Sequence, residues 1–341
     1  MKLFLILLFV SCSKLSYIVE QGVGQVSLEY NDIDVENFLH NPKYDQKFQD
    51  KVLLIQKAKQ YFYEYFELKP SDIYDEVKLL DQEAVTFLVI HSPQNEIRAI
   101  KTSFPIVGSF PYLGFFSKHS ALAYKTEKEQ EGFHVYMRPV FAYSTLNHPL
   151  WPFDDNILSS FFHYNDHQLV ELIFHELVHT VFFVKNDMSF NENFAQFLAR
   201  ELVVEFFKYE QKKKSELEEL KRNNMLISNL IIKSAKELTV LYQQNQSEPN
   251  ILKVYLENNF YPQMKNLCLK LKVKSCWPLR GEWNNARFAA FGTYEKKQDK
   301  IEELFLKKKM SLKNFFLFVI DKEQKFKSSE DFLMFLTKGS V

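Results

Sequence analysis

Between residues 41 and 69 apolar side chains recur at helical spacing. Val52, Leu53, Ile55, Ala58, Tyr61, Phe62, Tyr65 and Phe66 fall on one broad face, and Pro70 closes the helix they predict. From 84 to 143 the pattern changes to short β-branched and aromatic runs, "AVTFLVIHS", "IRAIKTSFPIV" and "FHVYMRPVFAY", divided by turn residues such as Ser92-Pro93-Gln94-Asn95. This alternation predicts a small sheet, interrupted by a helix over 118–132 that ends at Gly132. Beyond 160 the period is helical. Asn165 or Asp166 can cap a helix running to about Val184, and a second starts near Asn191 and continues into a densely charged, solvated stretch over 208–222. Residues 225–272 predict one or two more helices with a loop at 246–250, and two packed helices follow near the C-terminus. The pattern therefore predicts an α+β chain that is mainly helical.

The first residues follow a different logic. Met1-Lys2 precedes the unbroken apolar run Leu3–Val10, then Ser11-Cys12-Ser13. A run this short does not span a bilayer, which takes roughly 20 residues, and it matches an export leader instead. "LLFVSC" is similar to a bacterial lipobox, with Phe9 where leucine is usual. That similarity implies a leader over 1–11 and a lipid on Cys12, hence an envelope protein anchored to a membrane. Ser13 after the cysteine implies the periplasmic face of the outer membrane. Cys268 and Cys276 then remain, as a disulfide or as two buried thiols. Lys+Arg and Asp+Glu balance at 43 each, so bulk charge predicts no nucleic-acid partner, and eight glycines with no phosphate-loop pattern argue against nucleotide binding.

The chemistry is concentrated in "FHELVHTVFFVKNDMSFNENFA", residues 174–195. His175-Glu176-Leu177-Val178-His179 is an H-E-x-x-H motif. Residues four apart share a helix face, so both imidazoles can reach one ion, and Glu176 lies close enough to act as a general base. Chance alone would place such a motif in a chain of this composition with a probability of ~0.02. The surrounding Leu169, Val170, Leu172, Ile173, Phe174, Val178, Val181, Phe182 and Phe183 make the helix apolar almost all round, and thus buried. A buried His-Glu-His group is costly unless it is paired or bound to metal. Zinc needs a third protein ligand and keeps an open position for water, which it acidifies. Glu192, opening the next helix after the turn "VKNDMSF", is the nearest helical carboxylate. Asp187, in the turn itself, is its competitor. Gln196, one turn after Glu192, either orients a ligand histidine or is a surface amide.

Helices bearing H-E-x-x-H and N-E-x-x-A resemble the metal site of gluzincin peptidases, although only twelve residues separate His179 from Glu192 here, a shorter gap than in many of them. The stretches "FPIVGSFPYLGFF" (104–116), "AYSTL" (142–146), "FDDNILSS" (153–160), "LIFHELVH" (172–179), "FNENFAQF" (190–197) and "NNARFAAFGTY" (284–294) resemble, in this order, a bacterial family of zinc aminopeptidases from about Tyr17 to Tyr294. The family owes its name largely to the metal motif, and lipoprotein leaders are common in it. The resemblance implies a zincin-like domain over 12–300, with a small mixed sheet on the H-E-x-x-H helix and a helical tail, 301–341, packed against it. It implies one zinc ion on His175, His179 and Glu192, Glu176 as base, and a peptide substrate.

Other roles are more open. An oxyanion donor is required, and Tyr294 and Tyr143 lie in the family-like stretches, with His148 a weaker candidate. The strand over 133–143, with Pro139 suited to a sheet edge, can pair with substrate backbone. Asp154 and Asp155 either meet a substrate ammonium or cap a helix starting at Asn156. Asn284, Asn285 and Arg287 either bind substrate or brace the structure. The G-x-M-E-N motif of a large aminopeptidase family is absent. Two further readings stay in view: an envelope lipoprotein with a purely structural metal or polar cluster, and a zinc hydrolase of a non-peptide amide.

Overall fold

The computed structural model describes residues 12–28, 30, 32–104, 108–142, 155–184, 187–244, 250–292, 298–323 and 331–332. In chain order these form α1 (Cys12–Ser27), β1 (Ile33–Asp34), α2 (Val35–His40), α3 (Gln46–Phe66), β2 (Glu76–Lys78) and β3 (Thr86–Ser92). Then come β4 (Thr102–Phe104), β5 (Gly108–Phe110), β6 (Leu113–Phe115), α4 (Lys118–Gln130), β7 (His134–Val140) and β8 (Ile157–Leu158). The helical remainder is α5 (Asp166–Val181), α6 (Met188–Phe206), α7 (Gln211–Gln244), α8 (Ile251–Tyr255), α9 (Tyr261–Lys270), α10 (Asn285–Gly292), α11 (Gln298–Lys308) and α12 (Leu312–Glu323). The chain is α+β and mainly helical. Among the described residues no helix is long and apolar enough to cross a membrane.

The chain divides into two interleaved compact units, each built from three segments. The first comprises Met1–Tyr30, Ala84–Phe141 and Glu219–Tyr294. Its sheet has the order β6-β3-β7 and is antiparallel throughout, and β4 pairs with β5 in a separate ribbon. β7 is an edge strand, and Pro139 stands opposite Phe87 in it. Phe87, Val89, Leu113, Phe115 and Val135 make one core under α4, and Tyr17 of α1 stacks on Phe104 at 5.3 Å. Helix α1 approaches closely at Gly24, where an added Cβ would fall 2.2 Å from the Phe116 ring, so only glycine fits without movement. A second core gathers Ile227, Ile231, Leu238, Phe260, Met264, Trp283 and Phe288. Cys268 and Cys276 are bridged beside it, with Cα atoms 5.9 Å apart. Asn284 and Asn285 brace this unit: Asn284 Nδ2 donates to Val135 O, and Asn285 Nδ2 donates to Pro93 O and Gln94 O. Arg287 stacks over Trp283 at 4.3 Å and donates to the carbonyls of Arg280 and Glu282.

The second unit comprises Asn31–Glu83, Ala142–Glu218 and Glu295–Val341. It holds the mixed sheet β1-β2-β8, antiparallel at β1-β2 and parallel at β2-β8. The strands expected over 84–143 are thus the antiparallel ones of the first unit, and the mixed sheet in the unit of α5 comes from short segments around 33, 77 and 157. No helix starts at Asn156: it is followed by β8, and its side chain donates to Asp32 instead. Helix α3 ends at Glu67, which takes a left-handed φ of 53°, three residues ahead of Pro70. The helix expected to run unbroken from Asn191 to 222 is interrupted after Phe206, and Lys208 adopts φ 49° before α7 begins. Around α6 the core is aromatic. Phe62 and Phe66 of α3, Phe174 of α5, Phe194 and Phe197 of α6, and Phe315 and Phe316 of α12 are all under 2% exposed. Each such burial contributes roughly 1.5–3 kcal/mol. Phe315 and Phe316, in the stretch expected to be a helical tail packed on the domain, thus supply part of this unit's core.

Candidate metal centre

Helix α5 is set by both ends and by its apolar face. Asn165 caps it in a capping box with Gln168, and Lys51 of α3 holds its start through Tyr164 O at 2.8 Å and Asp166 at 2.7 Å. Leu169, Val170, Ile173, Phe174, Leu177 and Val178 are buried, and Phe174 meets Tyr61, Phe62 and Phe206. With those residues turned inward, His175 and His179 share a less covered face.

Helix α6 starts at Met188 rather than Asn191, because Asp187 is its N-cap and accepts from Phe190 N at 2.9 Å. That side chain is occupied by capping, so the competitor for the ligand role is a helix start. The turn is pinned a second time by Asn191, which is 1% exposed. Its Oδ1 accepts from Val184 N at 2.8 Å and its Nδ2 donates to Val184 O at 2.9 Å. This clamp is how a linkage of only twelve residues brings Glu192 back to the histidines.

The result is a convergence of three side chains. His175 Nε2 lies 3.2 Å from His179 Nε2 and 3.2 Å from Glu192 Oε2, and His179 Nε2 lies 3.5 Å from Glu192 Oε1. Ligand atoms of the three all fall within 4.8 Å of one another. Donors about 2.0–2.1 Å from a tetrahedral ion stand about 3.3 Å apart, so this nitrogen-and-oxygen set fits zinc. Half-exposed Glu192 leaves the cluster open to solvent on one side.

The electrostatics are those of a cluster competing for protons. Burial, then the charge of His175, hold His179 down at about 4. Burial opposes charging of His175 as well, but the hydrogen bond to Glu192 and the nearby carboxylates raise it overall. The His175 hydrogen bond in turn lowers Glu192. His179 therefore stays neutral at pH 7, the form in which an imidazole can ligate.

Three neighbours of this cluster carried no signal in the pattern. Glu171, one turn before His175, accepts from Gln196 Nε2 at 2.5 Å, so Gln196 holds a carboxylate and not a ligand histidine. Burial pushes the Glu171 carboxyl up, against the charge of Arg200, the Gln196 bond and the charge of His175. Tyr74 is fully buried in a left-handed conformation, φ 65°, and burial followed by the charges of Glu176 and Asp155 raises its phenol well above the ordinary value. Asp155 accepts from Tyr74 N through its backbone carbonyl. Asn191 is the third, visible in sequence only as part of "NENFA". Tyr143, His148, Asp154, Tyr294 and the leader over 1–11 lie outside the described residues, as does the side chain of Cys12.

A family model described as "Putative aminopeptidase" matches residues 16–331. The chain belongs to that family. The match extends through α11 and α12, beyond Tyr294, where the sequence resemblance stops. No curated protein and no solved structure matches the chain.

Proposed function

We propose that this family member is a zinc-dependent peptidase with a zincin-like centre, acting from the amino end of peptides. The observation that carries the reading is the approach of two imidazole nitrogens and one carboxylate at the spacing of tetrahedral donors, 3.2, 3.2 and 3.5 Å. His175, His179 and Glu192 would hold one zinc ion. A bound ion would supply Lewis-acid polarisation and acidify water at neutral pH.

The chain's own residues do the rest. Glu176 follows His175 directly, takes a proton from the attacking water and returns it to the leaving amine as the C–N bond breaks. The clamp of Asn191 on Val184 and the cap at Asp187 keep Glu192 in place through the cycle. A purely structural cluster has no use for a carboxylate at Glu176, which favours catalysis over a brace. The leader over 1–11, with Cys12 directly after it, and the Cys268–Cys276 bridge support an exported, lipid-anchored protein of the cell envelope.

The test is Glu176→Gln with zinc content and peptide turnover measured together. The variant should retain one equivalent of zinc and lose hydrolysis by a factor of about 100 or more. Turnover equal to the parent would overturn the base assignment, and equal cleavage of free and N-blocked peptides would overturn the amino-end specificity. Zinc without turnover of any peptide in the parent would point to a structural site.

A further inference from the structure

Two stripes run along α1, and the fold covers one of them. Tyr17, Gln21 and Gly24 form the covered stripe. Tyr17 stacks on Phe104 at 5.3 Å and meets Phe115 edge-on at 5.2 Å, and Gly24 is buried against Phe116. Val19, Val23 and Val26 repeat the same spacing two residues later. At about 100° per residue that offset puts them on the opposite side of the helix. All three are exposed, Val19 by 56% and Val23 by 64%, and Ile18 beside them is exposed as well.

A surface helix ordinarily does the reverse and turns its charges to water. Here Glu20 is turned toward the protein, where it accepts from Ser117 N at 3.3 Å. No exposed described residue between 17 and 30 carries a charge. An uncharged apolar face of this extent marks a contact surface.

The place where α1 begins says what that contact is. Its first residue is Cys12, which bears the lipid on the reading proposed above. At a rise of 1.5 Å per residue, Val19 stands about 10 Å and Val26 about 21 Å along the axis from it. A chain tethered through Cys12 therefore keeps the stripe within reach of a bilayer, and laying the helix flat brings the whole stripe to it. The helix does not enter lengthwise, because its 16 residues fall short of the roughly 20 that a span takes. Exposed aromatic rings flank the same end of α1. Phe110 stands 6.4 Å from Phe104, the ring on which Tyr17 stacks, and Tyr112 directly precedes β6, which α1 contacts. Rings of this kind favour the headgroup level of a bilayer.

We propose that α1 is an interfacial helix, its Val19–Val23–Val26 stripe seated at the hydrocarbon–headgroup boundary of the membrane that holds the Cys12 lipid. The inference rests on the lipid-anchor reading. Since the stripe is uncharged, apolar burial drives the contact, and neither anionic lipid nor low salt is needed for it.

The experiment uses the full mature chain, extracted with its lipid and reconstituted into vesicles of phosphatidylethanolamine and phosphatidylglycerol. An environment-sensitive fluorophore is attached at Val23→Cys and, as a control, at Val254→Cys on α8, an exposed position of the same unit. Cys268 and Cys276 are bridged, so the introduced thiol takes the label. Both sites are exposed, so neither change disturbs a core. Nitroxide-bearing lipid should quench the Val23 label about fivefold more than the control, and iodide in the water about fivefold less, with 0.5 M salt (~3–5 Å screening) changing neither. Mass spectrometry of the N-terminal peptide reads the acyl chains on Cys12. A Val23 label as open to iodide as the control, on an acylated chain, would overturn the interfacial helix and leave the anchor standing. A label shielded from iodide but untouched by nitroxide lipid would mean that protein covers the stripe, in a second copy, and would overturn it too. A bare Cys12 would overturn the anchor and the inference together.

Discussion

Asn191 makes a demanding prediction, because its whole effect should be local. Replacing it with alanine removes the acceptor of Val184 N and the donor to Val184 O, in a region where Val184 is 7% and Asn191 1% exposed. The two losses are unequal. Val184 O keeps a contact from Asp187 N at 3.4 Å, whereas Val184 N has no second acceptor among the described residues, so most of the cost falls on the N–H. An unsatisfied buried donor costs about 1–3 kcal/mol, and the weakened carbonyl adds a fraction of that, so about 2–3 kcal/mol is expected. Hydrogen exchange read by mass spectrometry on peptides from the start of α6 reports local opening directly. At 1.4 kcal/mol per factor of ten, those amides should exchange about 30- to 150-fold faster. On the proposed metal reading, zinc affinity should fall with it, since Glu192 is the next residue. Exchange at Phe190–Ala195 within threefold of the parent would refute the clamp as the device that sets the turn.

Two further outcomes concern the other unit. His91 is buried and His134 partly so, and burial lowers both below the ordinary 6.5, helped for His91 by Lys128 and opposed by Glu131 and Glu127. The folded state holds these protons less tightly than the unfolded chain, so stability is full above about 6.5 and declines as the pH falls below it. Urea melts between pH 7.5 and 5 should show the decline, and a flat profile would exclude it. Replacing Cys268 and Cys276 by serine opens a loop of sequence separation 8, worth about 2–3 kcal/mol by loop-closure entropy. Unchanged urea midpoints for the serine variant would show that the loop is held by its packing alone.

Much of the centre was legible because its logic is short-range. A four-residue step places two histidines on one face whatever the rest of the chain does, and a short turn leaves few carboxylates that can return to them. Helix α6 starts three residues before the position its pattern predicts, because Asp187, which in sequence looks like turn chemistry, is the cap that starts it. Glu171 gave no warning, being one of three acids on α5 and having its partner 25 positions ahead. The sheet β1-β2-β8 was invisible for another reason. Strands of two or three residues carry no period, and their pairings join positions as distant as Ile33, Val77 and Ile157. The break after Phe206 leaves no mark either, because "FFKYEQKKK" contains no glycine or proline and Lys208 takes the strained φ.

The placement of Phe315 and Phe316 in the core behind α6 bears on biosynthesis. Phe316 meets Phe66 at 4.3 Å and Phe194 at 6.2 Å, so helices made early stay without their apolar backing until residues beyond 312 emerge from the ribosome. On the proposed reading, a hydrolytic centre assembled in this order stays dormant on a nascent chain, and a chain cut short before α12 would leave His175, His179 and Glu192 on a pair of helices without that aromatic backing.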